Sequence, residues 1–119
     1  MILIKDNHIQ SAGSISLAIR KALRNKKGLK IEVETRNFGE VKEALNFKID
    51  RIMLDNFKPE DLKKAVQFIR SKNKKVEIEA SGRVNLHNVQ KIALSGVDCI
   101  SVGALTHSAK ALDFSLLLK

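Results

Sequence analysis

The stretch Lys30-Ile-Glu-Val-Glu34, followed by Arg51-Ile-Met-Leu-Asp55-Asn56, decides how the chain is read. Each run is short, alternates apolar and polar residues, and ends in a carboxylate. Glu34 and Asp55 stand 21 residues apart, the length of one strand–helix repeat of an α/β protein. In such folds the chemistry gathers at the carboxyl ends of parallel strands. Two acids at that level suit a divalent cation, or a positive charge that develops in a transition state, better than a solvated surface.

The same unit repeats outward from this pair. Ile2-Leu3-Ile4-Lys5 reads as a first strand ending in polar Asp6-Asn7-His8. Ser14 caps a helix with Ile15, Ala18, Ile19, Ala22 and Leu23 on one stripe, stopped by Gly28. The strand over 29–34 follows. Asn37 caps a helix with Phe38, Val41 and Leu45 inward, and a strand spans 50–55. Pro59 opens a helix carrying Leu62, Ala65, Val66 and Ile69. Val76–Ala80 is a strand, and Asn85 opens a helix with Leu86, Val89, Ile92 and Ala93 that Gly96 closes. Asp98–Val102 is a fifth strand. A short helix over 106–111 and an apolar tail complete the chain.

The expected fold is therefore α/β, with five consecutive βα units and parallel strands. Glu34, Asp55, Ser81 and Gly103, at the strand ends, are spaced by 21, 26 and 22 residues. Five strands cannot close an eight-stranded barrel, so the chain is either an open sheet or one wall of a barrel. Strands covered by helices on both faces are apolar throughout. Here Glu32 and Glu34, then Glu77, Glu79 and Ser81, alternate with apolar residues, so one face looks into a polar cavity such as a barrel mouth.

The 119 residues suffice for one domain with a core. Neither a membrane-spanning run nor a signal-peptide pattern is present, which points to the cytoplasm. Cys99, the single cysteine, reads as a buried reduced thiol. The net charge of +9 invites a polyanion. Against a nucleic acid, the lysines are spread over every expected helix. There is also no Trp or Tyr to build a stacking platform. Ser81-Gly82 and Gly103-Ala104 lie at strand–helix turns, where small residues let backbone N–H groups approach a phosphate, or simply make a turn. Lys5 holds an anion or reaches solvent. His8 and His107 lack metal-site spacing and read as surface or capping residues.

Five stretches in register carry a resemblance: Leu3-Ile-Lys-Asp-Asn-His-Ile9, Ile31-Glu-Val-Glu34, Met53-Leu-Asp-Asn56, Glu79-Ala-Ser-Gly82 and the run from Gly96 to Ser108. Leu112-Asp-Phe-Ser-Leu116 adds to them. On these the chain resembles the C-terminal barrel portion of the quinolinate phosphoribosyltransferases, also called carboxylating nicotinate-nucleotide pyrophosphorylases. The resemblance implies a partial, open TIM-like barrel over residues 1–119. The implied reaction makes nicotinate mononucleotide, pyrophosphate and carbon dioxide from quinolinate and phosphoribosyl pyrophosphate, with Mg2+, in NAD synthesis. Carried over, Glu34 and Asp55 face the ribose and the magnesium. Lys5 holds a quinolinate carboxylate, and Ser81, Gly82, Arg83 and Gly103 bind the 5′-phosphate. Arg83 stands where the family commonly has a second glycine. The family's N-terminal domain and early barrel strands, with their Arg-Lys and His-Arg pairs, have no counterpart in these residues. The family also forms homo-oligomers, dimers or assemblies of dimers, in which a partner's N-terminal domain covers the site.

Overall fold

The computed structural model describes residues 1–107 and 112–118. The strands are β1 (Ile2–Ile4), β2 (Ile31–Thr35), β3 (Arg51–Asp55), β4 (Glu77–Ser81) and β5 (Cys99–Ile100). They alternate with helices α1 (Asp6–Ala12), α2 (Ile15–Asn25), α3 (Phe38–Ala44), α4 (Pro59–Lys72), α5 (Val89–Ala93) and α6 (Ala104–His107). All strand pairs are parallel, and the order across the sheet is β1-β2-β3-β4-β5. That order decides between the two architectures left open by the sequence. A doubly wound sheet reverses its strand order at a switch point, whereas a barrel adds each strand beside the last. Right-handed crossovers in one direction place successive helices on one face. Accordingly α2 packs on α3, α3 on α4 and α4 on α5.

The core lies between that helical layer and the sheet. Ile31, Val33, Ile52, Leu54 and Ile78 project from the strands onto Ile19, Val41, Leu62 and Ile69 of the helices, and all are buried. The caps lie where the sequence puts them. The Ser14 hydroxyl accepts from the Leu17 N–H at 3.1 Å, and Asn37 Oδ1 accepts from the Glu40 N–H at 3.0 Å.

Three elements differ from expectation. Asp6-Asn7-His8 is no strand-end loop but the first turn of α1, which has no buried residue and no apolar stripe to announce it. His8 Nδ1 accepts the Lys5 N–H at 3.0 Å, a capping role, and Gly13 ends the helix at φ +90°. The helix expected from Asn85 starts only at Val89. The Asn85 and Asn88 side-chain amides donate to the Arg83 carbonyl at 3.3 and 3.0 Å, and the Asn85 N–H donates to Asn88 Oδ1 at 2.8 Å. These local bonds hold a turn in place of a helical start, and Leu86 is left 93% exposed. β5, with one neighbour among the described residues, shrinks to two residues, and Cys99 is half-buried rather than buried. Of the last expected helix, 104–107 is helical and 108–111 lies outside the described residues. The apolar tail over 112–118 is exposed and has no regular structure.

Candidate active site at the carboxyl ends of the strands

Side chains alternate across a strand, so the face away from the helices carries Glu32 and Glu34 on β2, Arg51, Met53 and Asp55 on β3, and Glu77, Glu79 and Ser81 on β4. The register sets their levels. Glu34 stands beside Met53 and Glu79, one pleat below the level at which Asp55 stands beside Ser81. Glu34 and Asp55 thus share one face of adjacent strands, as their spacing requires.

Glu34 is only 5% exposed but sits between two cations. Lys5 Nζ lies 3.8 Å from one carboxylate oxygen and Arg36 Nη2 lies 3.3 Å from the other. Arg36 also reaches Asp6 Oδ2 at 2.6 Å, which ties the end of β2 to α1. Its hydrogen bond, with that of the Asn7 N–H, holds the Asp6 carboxyl below its ordinary value. Asp6 in turn raises Arg36, whose charge is felt by both Glu34 and Asp55. Arg36 is a site residue that sequence reasoning missed; its position two residues past Glu34 was the available signal.

Asp55 Oδ2 accepts from the Asn56 side-chain amide at 2.8 Å, and the Asn56 N–H donates to the Ser81 carbonyl at 2.8 Å. Asn56 is therefore a second missed residue. It binds the acid at the end of β3 to the turn after β4. Its side chain also lies directly against Gly82, where a Cβ would collide with Asn56 Oδ1. Gly82 has φ +91°, a backbone that L side chains rarely adopt. Arg83 follows at φ +50°, so Ser81-Gly82-Arg83 makes two successive left-handed steps. The missing side chain at Gly82 lets a phosphate approach the backbone of this turn closely. The fourth-unit helix does not add its dipole, because α5 begins only at Val89. Arg83 is tolerated there, since its φ of +50° lies near the small left-handed region open to ordinary residues. On the next strand Ser101 bonds beside Ala80, and Gly103 precedes α6. A Cβ on Gly103 would meet His107 Nε2 at 2.6 Å, so this turn too is closely packed.

Below the site lies a layer that the sequence reading described only as polar. Arg51 donates to Glu77 Oε2 from Nε at 3.0 Å and Nη2 at 2.9 Å, and to Glu79 Oε2 from Nη1 at 3.0 Å. Glu32 and Glu79 are each 5% exposed. Burial, with the Glu79 carboxyl beside it, raises Glu32 to about 7. Burial also pushes Glu79 upward, but the Ser101 hydroxyl at 2.6 Å, Glu32 and Arg51 outweigh it and hold Glu79 below its ordinary value.

Among the described residues no cluster of three or more His, Cys, Asp or Glu side chains forms a metal cage. Magnesium does not require one. It binds through one or two carboxylates, completed by water and substrate phosphates. Glu34 and Asp55 meet that minimum. Among the described residues no helix is long and apolar enough to cross a membrane.

Residues 1–117 match the family model for the quinolinate phosphoribosyl transferase C-terminal domain. The chain is 48% identical to a probable carboxylating nicotinate-nucleotide pyrophosphorylase of Methanocaldococcus jannaschii, over 97% of this chain and 42% of that protein. It is 43% identical to the Rattus norvegicus carboxylating nicotinate-nucleotide pyrophosphorylase, over 99% of this chain and 40% of that one. The solved nicotinate-nucleotide pyrophosphorylase of Francisella tularensis superposes with a TM-score of 0.83 at 45% identity, covering 94% of this chain and 39% of that one. The Ehrlichia chaffeensis enzyme does so with 0.83 at 47%, covering 90% and 38%. The chain spans about two-fifths of the length of these relatives. With the strand order, the positions of Glu34 and Asp55 and this match in register, the chain belongs to the quinolinate phosphoribosyltransferase family, within its C-terminal domain.

Proposed function

We propose that the chain supplies the C-terminal barrel wall of a carboxylating nicotinate-nucleotide pyrophosphorylase. The reaction joins quinolinate to phosphoribosyl pyrophosphate, with loss of pyrophosphate and carbon dioxide, in cytoplasmic NAD synthesis. The observation that carries this reading is the Lys5–Glu34–Asp55 arrangement at the carboxyl ends of three adjacent strands, beside a glycine turn suited to phosphate. As pyrophosphate leaves, the anomeric carbon gains positive charge. Glu34 and Asp55 lie on the face where that charge develops and stabilise it by fixed negative charge. Lys5 holds a quinolinate carboxylate. Arg36 orients Glu34 through its ion pair. Ser81, Gly82, Arg83 and Gly103 seat the 5′-phosphate with backbone N–H groups and the Arg83 guanidinium. Glu34 and Asp55 would hold magnesium, which would supply positive charge to the departing pyrophosphate. The remaining quinolinate-binding cations, and the covering domain of a partner in a homo-oligomer, belong to the family's other three-fifths.

A second reading, a phosphate-binding barrel wall without turnover, is favoured by the small number of cations at the site. Lys5 and Arg36 are those found beside Glu34. The two readings share a first test. Calorimetry follows phosphoribosyl pyrophosphate binding to this chain with and without magnesium, and a product assay follows nicotinate mononucleotide. Magnesium-dependent binding that is lost in Glu34→Gln/Asp55→Asn is expected, with no product from the chain alone. Product would retire the second reading, and absence of binding would retire both.

A further inference from the structure

Asn56 touches two parts of the site at once. Its side-chain Nδ2 donates to Asp55 Oδ2 at 2.8 Å, and its backbone N–H donates to the Ser81 carbonyl at 2.8 Å. The same side-chain amide lies directly against Gly82. A Cβ built on Gly82 would stand 2.5 Å from Asn56 Cγ and 2.8 Å from Nδ2. The register prepares this meeting, because Asp55 pairs with Ser81 at the ends of β3 and β4.

The residue type fits each contact. Asn56 holds φ +57°, a left-handed backbone that Asn tolerates better than most L residues. A backbone of this kind persists where its surroundings fix it. An amide oxygen turned toward the Asp55 carboxylate would repel it, so the NH2 end faces the acid. Asn56 is exposed, so core packing does not account for its position. What holds it is the acid on one side and the glycine turn on the other.

We propose that Asn56 is a positioning residue that couples the phosphate turn to Asp55. A phosphate seated on Ser81-Gly82-Arg83 fixes the turn and, through Gly82, the Asn56 amide. The amide in turn holds the Asp55 carboxylate in place for a divalent cation. A shift of Gly82 toward the amide has to displace it, and the bond to Asp55 is lost with it. By linkage, the cation tightens phosphate binding by the same factor. The inference deepens the proposed function and rests on its assignment of the turn to phosphate and of Asp55 to the cation.

Calorimetry on this chain measures ribose 5-phosphate affinity with and without Mg2+, and Mg2+ affinity with and without ribose 5-phosphate. In the parent each ligand should tighten the other by one common factor of at least about fivefold. In Asn56→Gly, which accepts the left-handed backbone, and in Asn56→Ala the factor should fall below about twofold. Both ligands should still bind these variants, since Asn56 acts through Asp55 and the turn. A merely structural role would lower the melting temperature and both affinities but leave the factor intact. Ligands that bind the parent without tightening each other overturn the inference and leave the reading of the site standing. A factor that survives in either variant also overturns it, as it would if pairing of Mg2+ with the phosphate in solution were the cause. So does the loss of either ligand from both variants. Failure of either ligand to bind the parent removes the reading of the site, and the inference with it.

Discussion

Gly82→Ala isolates the tightest geometry of the site, and its cost follows from two separable terms. At φ +91° an L residue lies beyond the comfortable left-handed region, at about 1–2 kcal/mol. The new Cβ would also fall on the Asn56 side chain, 2.5 Å from its Cγ and 2.8 Å from Nδ2, distances no real contact tolerates. Asn56 must swing away and lose its 2.8 Å bond to Asp55, worth about 1 kcal/mol. The smaller entropy of the unfolded alanine chain returns about 0.4–1 kcal/mol. The net loss is about 2 kcal/mol, or roughly 6–12 °C in melting temperature for a domain of this size. Urea denaturation followed by circular dichroism measures it. In an Asn56→Gly background the collision disappears, and the same substitution should then cost about 1 kcal/mol. A cost below about 0.5 kcal/mol in the parent, or equal costs in both backgrounds, would refute the proposed contact between the two turns.

Arg83→Gly should leave stability within about 0.5 kcal/mol, because relief of a left-handed side chain and the added freedom of the unfolded glycine oppose each other at about 1 kcal/mol each. Its ribose-phosphate affinity should nonetheless fall, by roughly three- to tenfold in calorimetry, if the guanidinium meets the phosphate. Glu32 gives stability a pH dependence. Its folded value of about 7 exceeds the ordinary 4.5, so between them the folded chain holds more protons than the unfolded one. Stability should therefore decline as pH rises from about 5 to 7.5, by about 1–2 kcal/mol in urea melts, and Glu32→Gln should flatten that slope. Glu79, held low, acts in the opposite sense at more acid pH. Burial raises the Cys99 thiol above its ordinary 9.0, so iodoacetamide at pH 7.5 should label it at least about tenfold more slowly than a free cysteine peptide; an equal rate would contradict the half-buried position.

What could be read from the sequence, and what could not, divides along physical lines. The buried stripes of α2 and α4, the caps at Ser14 and Asn37 and the alternation of β2 and β4 are local patterns, and they placed the elements and the polar face. The same alternation put Glu34 and Asp55 on one surface. α1 escaped because it has no fully buried residue and packs on the core only through Ile9 and Ala12, too few to make a stripe. The late start of α5 escaped because Asn85 resembles a helix cap until its neighbour Asn88 is seen to bind the same carbonyl. Arg36 and Asn56 escaped for a third reason. Their roles depend on residues distant in sequence, Asp6 in one case and Gly82 in the other, and only tertiary structure brings these together. Charge crowding around Arg51 is likewise a product of register.

The sequential strand order also shapes how the chain can assemble in time. Each paired position joins residues about one repeat apart, such as Ile2 with Ile31, Glu32 with Arg51, Arg51 with Glu77 and Glu79 with Cys99. Among the described residues no strand pairing bridges the two ends of the chain, so each step closes a loop of similar, moderate size and similar entropy. Folding can start at any adjacent pair of units and grow by accretion in either direction, as in repeat proteins. The well-covered β2–β3–β4 centre is the natural seed. Among the described residues β1 and β5 each have a single strand neighbour, so these margins should exchange their amide hydrogens earliest, while the centre holds them until global unfolding.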